Sequence, residues 1–467
     1  MWFLIATPAT AKPGLKAQGA PSQQPNIVLV LTDDQTIDSV WAMPNVRATL
    51  ARKGVTIRNA IISDPLCCPS RASILTGRFA GGHGVWGNFK PYAWRSFHDG
   101  GLEDHTVAKA LQSAGYHTGL FGKYLNGYNL ADGFVPKGWD RWFAFDEPNA
   151  KYYDYDIVEL DADGQVHRRS FGSTSPEYST SVIGRQAVWF IRHTPASQPL
   201  FLYAAVAAPH ADSIPAPGDE GAFDGHEWVH SASFDEKNVG DKPRYIRRLP
   251  RLTPKQIAKY DLKRQRAAES LIGVDRLVGD LVTTLREEGR LSNTMFVFMS
   301  DNGLLLGTHR WGYKVVPYEE SIRVPMIVRF DPLLRNTPRE GSTSAALVAN
   351  VDLAPTWASI ANTSLDQPAD GSSFRRLLAG GAGRRTDVLL ESMRYVHPDG
   401  TVVPSYCGLR TRDRVYVRYA TGEQELYRLD KDPLQLRNLA RQHPPALPAL
   451  KARTRELCVP VPPGFQW

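Results

Sequence analysis

Two of the four cysteines in this 467-residue chain stand side by side, Cys67 and Cys68 in "LCCPSRASILTGR". Adjacent cysteines do not suit the geometry of a disulfide to each other, so one of them is placed for something else. The run "ASILTG" that follows "CCPSR" is helix-compatible and sets the pair at a helix N-terminus, where anions are favoured and a thiol pKa falls. On one reading the stretch offers a nucleophile beside a cation, with Arg71 at hand for an oxyanion. On the other it is a buried pair in a turn fixed by Pro69. Asp33 with Asp34, and Asp301 with Asn302, supply hard oxygen donors of the kind that hold Ca2+ or Mg2+. Each pair alone reads more readily as a solvated turn or a helix cap; their shared placement at strand ends points to a cation.

That placement follows from the apolar runs. "PNIVLVLTDDQ" is continuous apolar sequence ending in two acids, which suits a strand buried on both faces of a parallel sheet. "HTVAKALQSAGYHTGLFGKY" reads as helix, a stop at Gly115, then a strand from about Tyr116 to near Lys123. "PLFLYAAVAAPHAD" runs into His210, and "NTMFVFMSDNG" runs into Asp301 and Asn302. Ligands of open α/β sheets gather beyond the carboxyl ends of the strands, so four strands deliver polar groups to one edge. Thr253 caps and Pro254 opens a long helix whose Leu271, Val274, Val278, Leu281, Val282 and Leu285 form a core face. After "LLAGGAGRR" the pattern changes to the short strands "YCGLRTR", "RVYVRYA" and "QELYRL", with a closing helix around "ALPALKARTRELC". The fold class is therefore α/β, with a large mostly parallel sheet flanked by helices and a small C-terminal α+β unit with an antiparallel sheet. The divisions fall at 1–25, 26–380 and 381–467.

With 42% hydrophobic residues the chain is globular and can bury a full core. The formal net charge of +7 makes a polyanion a natural partner, without choosing which. Much of the excess lies in "PRYIRRLPRLTPKQIAKYDLKRQRAA", which reads first as a solvated helix face, with attraction of an anionic polymer as the alternative. No aromatic-and-basic motif of the known nucleic-acid modules is present. The start, "MWFLIATPATAKPG", is a short apolar run with a small-residue Ala9-Thr10-Ala11 pattern but no basic leading segment. Residues 1–25 are expected to be a signal remnant and a disordered leader, and the protein to be secreted or periplasmic. No later segment is long and apolar enough for stable membrane insertion. Export would permit a bond between Cys407 and Cys458, and two buried free thiols are the alternative.

"CCPSRASILTGR" resembles the signature of the type I sulfatases, Cys-x-Pro-Ser-Arg followed at fixed spacing by Leu-Thr-Gly-Arg, unbroken from Cys67 to Arg78. "SDNGLLLGTHRWGYK", "PYEESIRVPMIVRF" and "LYRLDKDPLQLRNLA" resemble further sulfatase segments in matching order. "LCCPSR", "GKYLNGY", "PKGWDRWFAF" and "KYYDYD" are similar to the branch of N-acetylglucosamine-6-sulfatases and heparan endosulfatases. The resemblance implies an alkaline-phosphatase-like fold and conversion of Cys67, by a formylglycine-generating maturation enzyme, to the nucleophile Cα-formylglycine. Cys68 falls at the variable position.

It further implies that Asp33, Asp34, Asp301 and Asn302, with the side chain at Cys67, bind one divalent cation, Ca2+ or Mg2+. Arg71 would stabilise the hydrated aldehyde, Lys123 and Lys314 would hold sulfate oxygens, and His210 would protonate the leaving alcohol. Many sulfatases carry a histidine two residues after the lysine, where this chain has Leu125; Asn126 and His309 are the candidates for its task. The implied activity is hydrolysis of sulfate esters on sulfated carbohydrate, such as N-acetylglucosamine 6-sulfate in glycosaminoglycans. The alternatives are a phosphonate or phosphate ester hydrolase of the alkaline phosphatase superfamily and a non-catalytic glycan-binding homologue.

Overall fold

The structure, a computed structural model, describes residues 24–128, 133–146, 150–335 and 337–467. All but the last two residues of the expected leader lie outside them.

Ten strands form the central sheet: β1 (Asn26–Thr32), β2 (Val55–Ile61), β3 (His117–Gly122), β4 (Arg141–Phe145), β5 (Tyr155–Leu160), β6 (Val166–Phe171), β7 (Leu200–Ala205), β8 (Thr294–Ser300), β9 (Met326–Phe330) and β10 (Ser342–Ala349). Their order is β10-β2-β9-β8-β1-β7-β3-β4-β5-β6. β1 pairs in parallel with β7 (Val30 opposite Ala204) and with β8 (Val30 opposite Phe298), and β3 is parallel to β7 and β4. β9 and β5 run against their neighbours, so the sheet is mixed but mostly parallel, as expected.

All seven residues of β1 are buried, which is why the strand reads as one apolar run. Its alternate side chains serve two cores. Ile27, Leu29 and Leu31 pack with Ala72, Ile74, Leu111 and Trp357 on one face. Val28 and Val30 pack on the other with Val182, Ile183, Phe190, Leu271, Val274 and Val278. The second group lies on the helices Ser179–His193 and Pro254–Glu287. The latter begins where expected: Thr253 Oγ1 accepts from Gln256 N–H, and the Gln256 side chain accepts from Thr253 N–H at 2.9 Å. Truncating Leu29 to Ala would cost about 2–5 kcal/mol, because a void between two packed layers cannot collapse.

Strands Asp387–Ser392, Tyr406–Thr411, Arg414–Tyr419 and Gln424–Arg428 make a separate antiparallel sheet in that order. Cys407 and Cys458 are bonded to each other, which ties the second of these strands to the residue after the helix Leu447–Leu457. Of the two alternatives left by the sequence, the disulfide is the one present. One apolar cluster holds Val388, Leu390, Tyr406 and Val417 of this sheet together with Ile61, Trp311, Tyr318 and Ile322. The small sheet thus stands against the segment that carries Lys314.

Candidate active site

The carboxyl ends of β1, β3, β7 and β8 converge, and β2 feeds a fifth group through the helix Cys67–Thr76. The strand ladder continues past the ends: Asp33 N–H donates to Ala208 O at 3.1 Å and Asp301 N–H to Thr32 O at 3.0 Å. Asp34 then turns into the left-handed region, φ 64°, where a short polar side chain is tolerated, and its N–H donates to Asp301 Oδ1 at 3.2 Å. Asp33 and Asp34 are thereby aimed differently. The Cys67 helix has no side-chain cap at Leu66; Asn88 Oδ1 accepts from Cys68 N–H at 2.9 Å instead. Gly77 closes it at φ 71°, in a left-handed cap that Gly adopts without a Cβ penalty.

Cys67 Sγ lies 3.3 Å from Asp33 Oδ1 and 3.9 Å from Asp34 Oδ1. Lys314 Nζ is 2.7 Å from Cys67 Sγ and also pairs with Asp34. Lys123 Nζ pairs with Asp33 Oδ2 at 2.5 Å. Arg71 is fully buried and donates to Asp301 Oδ2 at 2.8 Å, Asp33 Oδ2 at 3.3 Å and the Lys123 carbonyl at 2.8 Å. Asn302 Nδ2 donates to Asp34 Oδ1 at 2.7 Å. His210 is half-buried, with Nε2 3.8 Å from Asp34 Oδ2. Its Nδ1 sits 2.7 Å from Ala211 O, and a carbonyl can only accept, so Nδ1 carries the proton.

Burial pushes the Asp33 carboxyl up, but Lys123, His210, Arg71 and Lys314 together hold it below the usual carboxylate range. Burial pulls Arg71 down, and Asp301 and Asp33 more than offset this, so the guanidinium stays charged. At Cys67 the expectation fails. Burial and the adjacent Asp33 push this thiol up, outweighing Lys123 and Lys314, whereas the helix N-terminus had suggested a lowered pKa. Cys67 as a thiol is a poor nucleophile here. Burial likewise pushes Cys68 up, to about 12, and that residue packs in the apolar core.

Ligand atoms of Asp33, Asp34, Cys67 and Asp301 all lie within 4.8 Å of one another, and the buried Asn302 Oδ1 has no hydrogen-bond partner. Three carboxylates and a free amide oxygen fit a hard divalent cation. The one soft atom is Cys67 Sγ, which stands where formylglycine would carry oxygen, so conversion would make the donor set uniform.

Not every candidate joins the cluster. His309 is fully buried with Nδ1 2.6 Å from Glu236 Oε2, its ring 4.2 Å from that of Tyr318, and Nε2 without a partner. No hydrogen bond or ion pair links it to Cys67, the carboxylates or the lysines among the described residues. Asn126 is buried; its backbone carbonyl accepts from Trp94 N–H at 3.0 Å and lies 3.8 Å from Cys68 Sγ. Leu125 is core. Two residues escaped the sequence reading: Tyr313, whose ring lies 5.9 Å from Lys314 Nζ, and Tyr395, stacked on Tyr313 at 5.3 Å. Tyr313 stands inside "RWGYK" and was open to notice; nothing in the sequence ties Tyr395 to it.

Carboxylates ready for a cation, hemmed by cations of the protein itself at the carboxyl edge of a mostly parallel sheet, define a hydrolase of anionic esters. Residues 25–363 match the sulfatase family model, and residues 307–456 match the model of the N-sulphoglucosamine sulphohydrolase C-terminal region. The chain belongs to the sulfatase family and is an enzyme. It is 31% identical over 479 residues to N-acetylglucosamine-6-sulfatase of Capra hircus, covering 93% of this chain and 83% of the relative. It is 32% identical to an extracellular sulfatase homologue of Drosophila melanogaster, covering 78% of this chain and 32% of that longer one. A solved structure described as a complex with its substrate D-glucosamine-2-N,6-O-disulfate superposes with TM-score 0.78 at 24% identity, covering 93% and 98% of the two chains. These neighbours bear out the alkaline-phosphatase-like fold.

Proposed function

We propose that the enzyme hydrolyses sulfate esters of sugars, with 6-sulfated N-acetylglucosamine units of glycosaminoglycans as the substrate class and formylglycine at position 67. The observation that carries this reading is the meeting of Cys67 with three carboxylates, two lysines and Arg71 in one buried cluster. The likeness over most of the chain to N-acetylglucosamine-6-sulfatase supports the sugar. Hydrated formylglycine supplies a hydroxyl nucleophile whose partner hydroxyl allows sulfate to leave again. Asp33, Asp34, Asp301 and Asn302 would hold Ca2+ or Mg2+, which supplies positive charge against the sulfate oxygens.

The chain's own groups do the rest. Arg71, fixed by Asp301 and by the Lys123 carbonyl, keeps position 67 in a positive field. Lys123 and Lys314 present ammonium groups to sulfate oxygens, and charge fixed in advance needs no reorganisation as the transition state forms. His210 turns Nε2 toward the cluster while Nδ1 is held by Ala211 O, which orients it to protonate the leaving oxygen. We assign catalysis to residues 26–380 and the C-terminal α+β unit to 381–467, and we infer a secreted or periplasmic protein matured by a formylglycine-generating enzyme. Among the described residues no helix is long and apolar enough to cross a membrane.

The test is the mass of the tryptic peptide Asn59 to Arg71, from protein made with a maturation enzyme, alongside turnover of N-acetylglucosamine 6-sulfate and of matched aryl sulfate and phosphate esters. An aldehyde at 67, an unmodified Cys68 and preference for sulfate are expected. An unmodified thiol at 67 in active protein, or preference for phosphate, would overturn the reading.

A further inference from the structure

A cleft of about 660 Å3 opens beside the cluster. It reaches Asp34, and Pro209, Ala211 and Asp212, the neighbours of His210, line it. The helix Pro254–Glu287 contributes Lys259, Lys263 and Arg266, which stand at i, i+4 and i+7 and so share one helix face. Among the described residues none of the three side chains makes a hydrogen bond or ion pair. Burial and the nearby Lys259 pull the Lys263 ammonium down, while Asp212 pulls it up. The basic run that reads in sequence as one solvated face is therefore divided. Arg251 is taken up by Asp235 at 2.6 Å and Arg247 by Glu423 at 3.2 Å, whereas the three cations on the cleft form no ion pair among the described residues. Of the carboxylates that line the cleft, Asp34 is paired with Lys314 and Glu319 with Arg410 and Arg323, and Asp212 acts on Lys263 through its charge without forming an ion pair.

Two indoles complete the wall. Trp41, 38% exposed, and Trp228 line the same cleft with ring centroids 6.2 Å apart. Aromatic rings give a large rigid apolar face at little conformational cost, suited to the C–H face of a sugar ring. The direction of the substrate follows from His210. A group that protonates the leaving alcohol must lie on the alcohol side of the ester, and the cleft begins at the residues flanking His210.

We infer that this cleft binds the next sugar of a sulfated chain, with Lys259, Lys263 and Arg266 holding its sulfate or carboxylate and Trp41 and Trp228 supporting its ring. The inference rests on the sugar sulfate reading above. It makes the enzyme one that prefers an oligosaccharide to the free monosaccharide.

The experiment compares KM for N-acetylglucosamine 6-sulfate and for a 6-sulfated heparan-type tetrasaccharide, in mature wild-type enzyme and in the double variant Lys259→Ala, Lys263→Ala. Wild type should show a KM about ten-fold lower for the tetrasaccharide, and the double variant should bring the ratio to within about two-fold, with the Lys259→Arg, Lys263→Arg pair restoring it. In parallel, calorimetry on a Cys67→Ala background should show the tetrasaccharide binding about ten-fold more weakly when both lysines are removed, at matched melting temperature. An unchanged KM ratio, or equal KM values in wild type, would overturn the inference while leaving sugar sulfate hydrolysis intact. Failure of mature wild type on both sugars, with aryl sulfate still cleaved, would overturn the proposed function and this inference with it.

Discussion

Lys314 Nζ contacts both the Asp34 carboxylate and, at 2.7 Å, the sulfur of Cys67, so one ammonium joins the end of β1 to the first turn of the Cys67 helix. Replacing it with Met should lower kcat for an aryl sulfate about 10²- to 10³-fold, the usual cost of removing one preorganised charge from such a site. Lys314→Arg should not rescue, because a guanidinium cannot replace a compact ammonium in a fully buried position. Turnover is to be measured with the mass of position 67 checked, so that loss of conversion is told apart from loss of catalysis.

Removing divalent cations should destabilise the protein as well as silence it. The carboxylates at 33, 34 and 301 are buried side by side, and their mutual repulsion is relieved by any cation that binds the folded state alone. Ca2+ at 100 times its Kd should add about 2.7 kcal/mol, read as a rise in melting temperature after EDTA treatment. A melting temperature indifferent to EDTA and Ca2+ would argue against the cation site.

His210→Ala should discriminate between leaving groups. For a sugar sulfate, whose alkoxide leaves poorly, kcat should fall about 10²- to 10⁴-fold. For 4-nitrophenyl sulfate, which departs without a proton, the loss should be far smaller. Equal losses on the two esters would remove the general-acid role.

Stability should fall as pH rises through the neutral range, because of a pair of acids away from the reacting centre. Burial pushes the Glu391 carboxyl from its ordinary 4.5 up to about 8, against backbone N–H groups of Gly81 and Ala80. Asp64 beside it is pushed up by burial and by Glu391. Between about 4.5 and 8 the folded chain keeps a proton that the unfolded chain releases, so stability is lost across that window as pH rises. Glu391→Gln should flatten the dependence of melting temperature on pH from 5 to 8. An equally steep fall in that variant would place the cause elsewhere.

The central strands could be read from the sequence because burial on both faces demands unbroken apolar runs, and a charged pair after such a run marks the carboxyl end. Asp33, Asp34, Asp301, Asn302 and Lys123 were legible in that way. β6 was not, because "VHRRSF" is mostly exposed and carries no apolar pattern. Asp387–Ser392 is not among the short strands read from the sequence either, although the Gly-rich "AGGAGRR" that marks the change of pattern stands just before it. The separate placements of Lys314, on Asp34 and Cys67, and of His309, on Glu236, depend on an irregular segment with His309, Arg310 and Val315 at positive φ, a path that no periodicity encodes. Glu236, the partner of His309, lies 73 residues away in sequence and outside any helix or strand. Likewise, the spacing of Lys259, Lys263 and Arg266 marked a helix face, while only the fold shows what that face borders.

Cys67 has no solvent-accessible surface, and every residue of its helix is buried. Any enzyme that is to rework this side chain must hold the surrounding peptide in its own cleft, which a closed helix in the middle of a domain forbids. The conversion proposed for position 67 would therefore have to precede the closing of β1, β2 and β8 around it. A chain that folds too quickly would be intact in shape and permanently idle.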